Sequence, residues 1–255
     1  MKRVILPVLF FLIAGSYSYA QTVQDLIKEG DDAYAAYNNK LALELYQKAE
    51  KKAPGDWEVL WRLSRTYVDL GEDMPEGTDE EKQLAQYEKA LQYAEKAVKA
   101  APDQSITVLR RAIANGRIAL FKGVFSVAEV VNKVKADSET AIKLGNGGNY
   151  VQALAHYVLG RTHAKISEKW APARSVIGLG WADLETGIKE LKKATEIYSD
   201  YRMFYYDLAK AYADNDEYEK SRAVLKKLMN SPVRHKTDDK TLADAKILMN
   251  EIKDE

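Results

Sequence analysis

Three short segments of this 255-residue chain repeat one arrangement. Trp61 stands four residues before Arg65, Tyr157 before Arg161, and Tyr206 before Lys210, each time with a leucine between them. On a helix such residues are neighbours one turn apart, while the intervening leucine points the other way into a core. An aromatic ring and a cation held together offer apolar contact, cation–π attraction and a partner for carboxylates. Three such pairs on one face would suit an extended peptide. The same pairs could equally stiffen their helices and pack against neighbouring units, because aromatic side chains often serve packing. Both readings stay open at this level.

A second candidate runs from Trp170 through Ala171-Pro172-Ala173-Arg174 to Ser175-Val176-Ile177-Gly178-Leu179-Gly180-Trp181. It is unusually apolar for a connecting segment. It would either fold over a binding groove as a lid or bury Ile177, Leu179 and Trp181 against its own array. Burial is the stronger expectation, since large exposed apolar patches are rare on soluble proteins.

Catalytic chemistry finds no foothold. His156 and His163 lie about two helical turns apart, with no acidic residues at ligand spacing, so neither reads as a metal ligand. His163 takes a place suited to a packed tyrosine, and His235 falls in a basic loop. Gly178-Leu179-Gly180 lacks the strand and lysine that a phosphate loop needs, and no serine has a nucleophile-elbow context. The acidic pairs Asp31-Asp32 and Asp238-Asp239 suit helix ends and faces better than acid–base work. No cysteine is present. Disulfide staples, thiolate metal sites and a cysteine nucleophile are therefore excluded. The expectation is a protein without enzymatic activity, cofactor or metal.

The elements that must position these residues follow from an internal period. Gly30 and Ala33 precede Ala42, Tyr46 and Ala49, closed by Pro54; the same steps recur at Ala90, Ala94, Ala97 and Pro102. Weaker copies are Gly187, Leu191, Ala194 and Ser199, then Ser221, Leu225 and Leu228 with Pro232. Small residues let two helices approach, an aromatic fills the gap, and proline ends the second helix. Leu63, Ser64 and Tyr67 correspond to Leu159, Gly160 and His163, and to Leu208, Ala209 and Tyr212. Units then begin near Val23, Trp57, Ser105, Ala153 and Arg202, spanning about 23–56, 57–104, 105–152, 153–201 and 202–235. The outer units are about 34 residues long and the inner three about 14 residues longer.

The extra length is expected between the paired helices. In the second unit it covers Glu72 to Ala85, with a turn at Met74-Pro75-Glu76-Gly77 and Thr78 capping a long helix. In the fourth it covers 167–183. The third unit is the least regular. Its second helix would run from about Ser126 to Leu144 and stop at Gly145-Asn146-Gly147-Gly148. Here Leu109 and Ile113 stand where the aromatic–cation pair should be, which predicts a modest apolar pocket between two polar ends. A capping helix over 237–254 would start at Thr237 or Asp238 and turn Leu242, Ala245, Met249 and Ile252 inward. The fold class expected is all-α: a solenoid of about five helix pairs plus that cap.

Composition agrees with a binding surface other than a nucleic-acid one. The 38 basic and 38 acidic residues balance, and no basic footprint for nucleic acid emerges. The first twenty residues read as a signal peptide. Lys2 and Arg3 precede the apolar run Val4 to Ala14, and Ser18-Tyr19-Ala20 offers a cleavage site before Gln21. The apolar run is too short to span a bilayer comfortably, so no stable membrane insertion is expected after cleavage. Without a cysteine behind it, a lipid anchor is excluded. Residues 21–255 would then be one helical repeat domain in the bacterial periplasm, with the extracellular space as the alternative.

These residues resemble tetratricopeptide repeats over nearly the whole mature chain. More narrowly, the chain is similar to bacterial relatives of the regulator of microtubule dynamics protein family. The resemblance is carried by Leu60-Trp61-Arg62-Leu63-Ser64-Arg65, Ala90 to Ala97, the irregular third unit and the insertion containing Trp170. It implies a helical repeat fold with no catalytic residues. Eukaryotic members are linked to microtubules and mitochondria, which an exported protein would not meet, and that role is not carried over. The expected function is an exported repeat scaffold that binds a protein or peptide on its concave face through Trp61, Arg65, Tyr157, Arg161, Tyr206 and Lys210. The alternative is a small-molecule binder with a pocket roofed by the 167–183 insertion.

Overall fold

The computed structural model describes residues 21–75, 77, 79–122, 128–234 and 236–255. Among the described residues every regular element is a helix. The first pair is α1 (Val23–Ala35) and α2 (Asn39–Lys52), the second α3 (Trp57–Glu72) and α4 (Glu80–Ala100), and the third α5 (Ser105–Lys122) and α6 (Ala128–Leu144). A fourth unit holds α7 (Gly148–Ser167), the short α8 (Ala171–Val176) and α9 (Leu184–Ile197). The last pair is α10 (Arg202–Asp214) and α11 (Tyr218–Asn230), closed by α12 (Asp238–Glu251). This is the all-α solenoid of five pairs and a cap.

Local chemistry explains the boundaries. Thr22 and Asp25 form a reciprocal capping box that opens α1. Asn38, Asp56 and Asp183 each accept a backbone N–H at the start of α2, α3 and α9. The helix α4 is capped by Asp79, which accepts the Glu81 N–H at 2.9 Å. The cap thus falls one residue beyond Thr78, which with Glu76 lies outside the described residues. Much of the added length in this unit goes into α4 itself, 21 residues long.

The fourth unit begins at Gly148, ahead of the expected Ala153. The glycine run is shorter as a break than its composition suggests. Gly145, Gly147 and Gly148 all take positive φ, and the chain turns directly into α7. Asn146 fixes the turn: its side chain accepts the Ser105 N–H at 2.7 Å and donates to the Asp103 carbonyl at 2.8 Å. Ser126, the expected start of α6, lies outside the described residues, as do residues 1–20 with the expected signal peptide and its cleavage site.

The start of α12 also differs from expectation. Thr237 makes no side-chain cap, and Asp238 sits inside the helix with its buried carboxylate accepting the Arg234 N–H at 2.6 Å. The face carrying Ala245 and Ile252 packs, as its spacing predicts, on Ala209, Leu225 and Leu228.

One contact set runs between distant ends of the array. The Tyr37 hydroxyl, between α1 and α2, donates to the Arg234 carbonyl at 2.8 Å. Lys236 Nζ lies 2.8 Å from Asp73 Oδ2, which also accepts from the Asn39 side chain at 3.0 Å. The segment before α12 therefore reaches back to the first two pairs. Among the described residues no helix is long and apolar enough to cross a membrane.

Candidate functional site

The first helices of four successive pairs, α1, α3, α5 and α7, converge on one cavity of ≈ 150 Å³. Tyr34 comes from α1, Asp69 and Glu72 from α3, Arg110, Ile113, Gly116 and Arg117 from α5, and Tyr150, Tyr157 and Arg161 from α7. Val131 and Val134 of α6 and Ile166 of α7 complete an apolar wall. The cavity is therefore partly apolar with charged groups in its lining, and of the two third-unit residues Leu109 and Ile113 only Ile113 lines it.

Most of the charges have partners. Arg117 pairs with Glu72. Arg161 donates to the Tyr157 hydroxyl at 3.0 Å and approaches Asp207 at 3.4 Å, and Tyr157 donates to Asp207 at 2.6 Å. Burial pushes the Tyr157 phenol far above its ordinary range. Lys165, another wall residue, pairs with Glu168 at 2.8 Å.

Two further groups have a buried polar atom without a hydrogen-bond partner among the described residues, as Arg161 and Arg65 also do at their Nε atoms. Arg110 is only 6% exposed, yet its Nε has no hydrogen-bond partner among the described residues. Its guanidinium lies 5.8 Å from the Trp61 ring centroid. Asp69 Oδ2 is likewise buried without a hydrogen-bond partner among them. Burial, reinforced by the nearby Glu72 carboxylate, lifts the Asp69 carboxyl to about 6, with Tyr34, Arg110 and Arg65 acting the other way.

The three aromatic–cation pairs do not form a ladder. Arg65 does lie 5.0 Å from the Trp61 ring, but it sits closer to Tyr34, at 3.5 Å. It is also bound to Asp31 at 3.2 Å and to the Tyr46 hydroxyl at 3.0 Å, with its side chain 12% exposed. Arg62 shares Asp31 at 2.9 Å. Burial works against the Asp31 charge, but hydrogen bonds from Arg62 and Tyr46 outweigh it and hold the carboxyl below its usual value. Trp61 packs between two core clusters. This pair is thus inside the array, beside the cavity and outside its lining.

Tyr157 and Arg161 line the cavity. Tyr206 and Lys210 lie elsewhere, in a shallow hollow with Asp214, Asp244 and Glu251. Lys210 turns to Asp214 at 2.6 Å and Glu168 at 3.5 Å, and no cation–π contact with Tyr206 occurs among the described residues. Competing carboxylates attract an ammonium more strongly than a ring face does.

The 167–183 insertion does not roof the cavity. Leu179 is fully buried with Ile166, Val131 and Ala182, and Ile177 and Trp181 pack on the same cluster. Trp181 Nε1 donates to Asn132 Oδ1 at 2.7 Å, and its ring meets His163 edge-on at 5.0 Å. Ile177, Leu179 and Trp181 are core residues of the fourth unit, and Trp170 stands away from them, 75% exposed. His163 is packed as expected. Its Nδ1 accepts the Asp183 N–H at 3.2 Å, and burial followed by the Lys135 charge lowers its pKa. His156 bonds Glu190 at 2.5 Å. No group of three or more metal-ligating side chains gathers among the described residues. His235 lies outside them.

Arg110 and Asp69 escaped the repeat pattern because neither occupies the aromatic–cation register. A signal was present: Arg110-Arg111 interrupts the otherwise apolar helix from Ile106 to Ala114. A cation on an apolar stripe is seldom buried unless something compensates it.

Solved structures share the architecture. A tetratricopeptide protein of Thermus thermophilus, TTC0263, aligns with a TM-score of 0.63 at 18% identity, covering 89% of this chain and all of its own. PilF of Pseudomonas aeruginosa aligns at 0.58 with 9% identity, covering 90% and 91%. PilW, described as a widely conserved type IV pilus biogenesis factor, aligns at 0.56 with 14% identity, covering 91% of each chain. At these identities the likeness concerns the fold. No curated protein matches the chain in sequence. Residues 26–253 match the family described as regulator of microtubule dynamics protein 1-3. With nearly every described helix inside that match, the chain is a member of the regulator of microtubule dynamics protein 1-3 family.

Proposed function

We propose that the protein is a non-catalytic, exported scaffold that binds a protein or peptide partner on the concave side of its array. The observation that carries this reading is the convergence of α1, α3, α5 and α7 on one cavity lined by buried charges, where the Arg110 Nε and the Asp69 Oδ2 have no hydrogen-bond partner among the described residues. Stacked repeats build such concave surfaces from their first helices. Unpaired buried polar groups cost about 1–3 kcal/mol each, a cost that a bound partner would offset.

A photo-crosslinking residue at Leu120, which lines the cavity and is 45% exposed, tests the reading. The control site is Lys48, on the exposed face of α2. Partner adducts are expected from Leu120 and not from Lys48. Equal yields from both positions would overturn the proposal.

A second reading, a small-molecule site, is favoured by the size of the cavity. On the same scale one water needs ~10–15 Å³. A space of ≈ 150 Å³ therefore takes on the order of ten to fifteen non-hydrogen atoms, the size of a metabolite or of a single side chain.

A further inference from the structure

The cavity's charges, its floor and its volume together point to one class of ligand. Arg117, Arg161 and Lys165 are matched by Glu72, Asp207 and Glu168. What remains is the Nε of Arg110 and the Oδ2 of Asp69, both buried and both without a hydrogen-bond partner among the described residues, with Tyr34 and the Arg110 and Arg65 charges offsetting only part of what burial costs the Asp69 carboxylate. A purely anionic ligand would satisfy Arg110 and be repelled by Asp69, and a purely cationic ligand the reverse. A zwitterion satisfies both and leaves the buried charge balanced.

The floor of the cavity adds an independent observation. Gly30, Gly71, Gly160 and Gly187 lie inside helices because a Cβ would collide with a neighbour, at 2.4, 2.6, 2.8 and 3.0 Å. Gly116, in the middle of α5, has no such reason: a Cβ there meets nothing within 4 Å. Glycine in a helix interior costs about 1 kcal/mol relative to alanine. Here that cost purchases open space, because Gly116 lines the cavity. It lies six residues beyond Arg110, ~9 Å along the helix axis, with Ile113 between them on the same face. The space thus has the Arg110 and Asp69 charges in its lining and, at Gly116, room free of side chain beside the Arg117–Glu72 ion pair.

We propose that this cavity binds a free α-amino acid with an apolar side chain, its carboxylate on Arg110, its ammonium on Asp69 and its side chain over Gly116. Leucine and phenylalanine, with nine and twelve non-hydrogen atoms, suit a space for about ten to fifteen. The proposal deepens the small-molecule reading and rests on it.

The test is isothermal titration of the full mature chain, with intrinsic tryptophan fluorescence as a second readout. One arm uses L-leucine and L-phenylalanine. A second uses 4-methylpentanoate and 3-phenylpropanoate, which lack the ammonium, and a third isopentylamine and phenethylamine, which lack the carboxylate. The amino acids are expected to bind, with every one-charge analogue weakened at least about tenfold. Gly116→Leu should abolish binding while the protein stays folded by circular dichroism, and Arg110→Met should weaken it by a similar or larger factor. Should Arg110→Met fail to fold, Gly116→Leu carries the test, since its side chain enters open space. A monocarboxylate or an amine that binds as tightly as the amino acid overturns the zwitterion assignment and leaves the small-molecule reading standing. No response in any arm overturns both.

Discussion

Alanine at two helical glycines should move stability in opposite directions. At Gly160, on α7, a Cβ would stand 2.8 Å from the Leu191 backbone N and 2.9 Å from the Gly187 carbonyl oxygen. Ordinary carbon contacts lie at about 3.5–4.0 Å, so α7 and α9 must separate by several tenths of an ångström. The obstructing atoms are backbone and cannot swing away. Overpacking of this kind costs about 1–3 kcal/mol, while the gain in helix propensity returns at most about 1 kcal/mol. Gly160→Ala should therefore lose about 1–2 kcal/mol. Gly116→Ala meets no neighbour within 4 Å and should gain about 0.5–1 kcal/mol. In a chain this long, 1 kcal/mol corresponds to about 2–4 °C, so thermal unfolding followed by far-UV circular dichroism resolves the pair. A melting temperature that rises for Gly160→Ala as it does for Gly116→Ala would refute the assignment of close helix packing at one site and open cavity at the other.

Asp69→Asn should stabilise the protein at neutral pH more than at acid pH. The folded carboxyl titrates at about 6, above its unfolded value of about 3.9. Its contribution is thus most favourable below pH ~4 and is lost as pH rises to ~6. Urea midpoints of wild type and variant should diverge across that window by about 1–3 kcal/mol, and a pH-independent gap would contradict the burial of Asp69. Leu179→Ala should cost about 2–5 kcal/mol as a core truncation yet leave amino-acid affinity unchanged; a parallel loss of affinity would restore a lid role to the insertion. Arg65→Met should lower stability by about 2 kcal/mol, since Asp31 keeps Arg62 as a partner, without reducing crosslinking from Leu120. N-terminal sequencing of the protein recovered from the envelope of its host should begin at Gln21; a retained Met1 would refute export by cleavage.

The fold was legible because its determinants are local. Small residues at fixed steps, with Tyr46 or Tyr93 filling the gap and prolines after the second helices, state the helix pairs outright. The unit boundary at Gly148 was missed because three glycines suggest a long break, whereas Asn146 closes the turn with hydrogen bonds to a helix about forty residues away. The site was only half legible. Tyr157 and Arg161 line the cavity, but the spacing shared with Trp61–Arg65 and Tyr206–Lys210 says nothing about which carboxylates compete for each cation. Asp31, Asp214 and Glu168 decide that: Asp31 comes from α1 and Glu168 from the end of α7, while Asp214 stands one turn beyond Lys210 on α10. Of Leu109 and Ile113, which suggest an apolar pocket at the third unit, only Ile113 lines the cavity, and Leu109 is buried in the core. The cavity's charged part depends on Arg110 of α5 and Asp69 of α3 lining the same space, a juxtaposition made by stacking and by no motif.

The contacts of Tyr37 with Arg234 and of Lys236 with Asp73 alter how such an array comes apart. Repeat proteins behave as one-dimensional chains of nearest-neighbour couplings and lose their terminal units first. Here the two termini of that chain are tied to each other, so the coupling scheme is cyclic. Each tie is worth no more than about 1 kcal/mol, too little to hold the fold but enough to link the loosening of the first pair to that of the last. Melting should therefore be more cooperative than for an open array of equal length, and salt, by screening the Lys236–Asp73 pair, should broaden the transition as well as shift it.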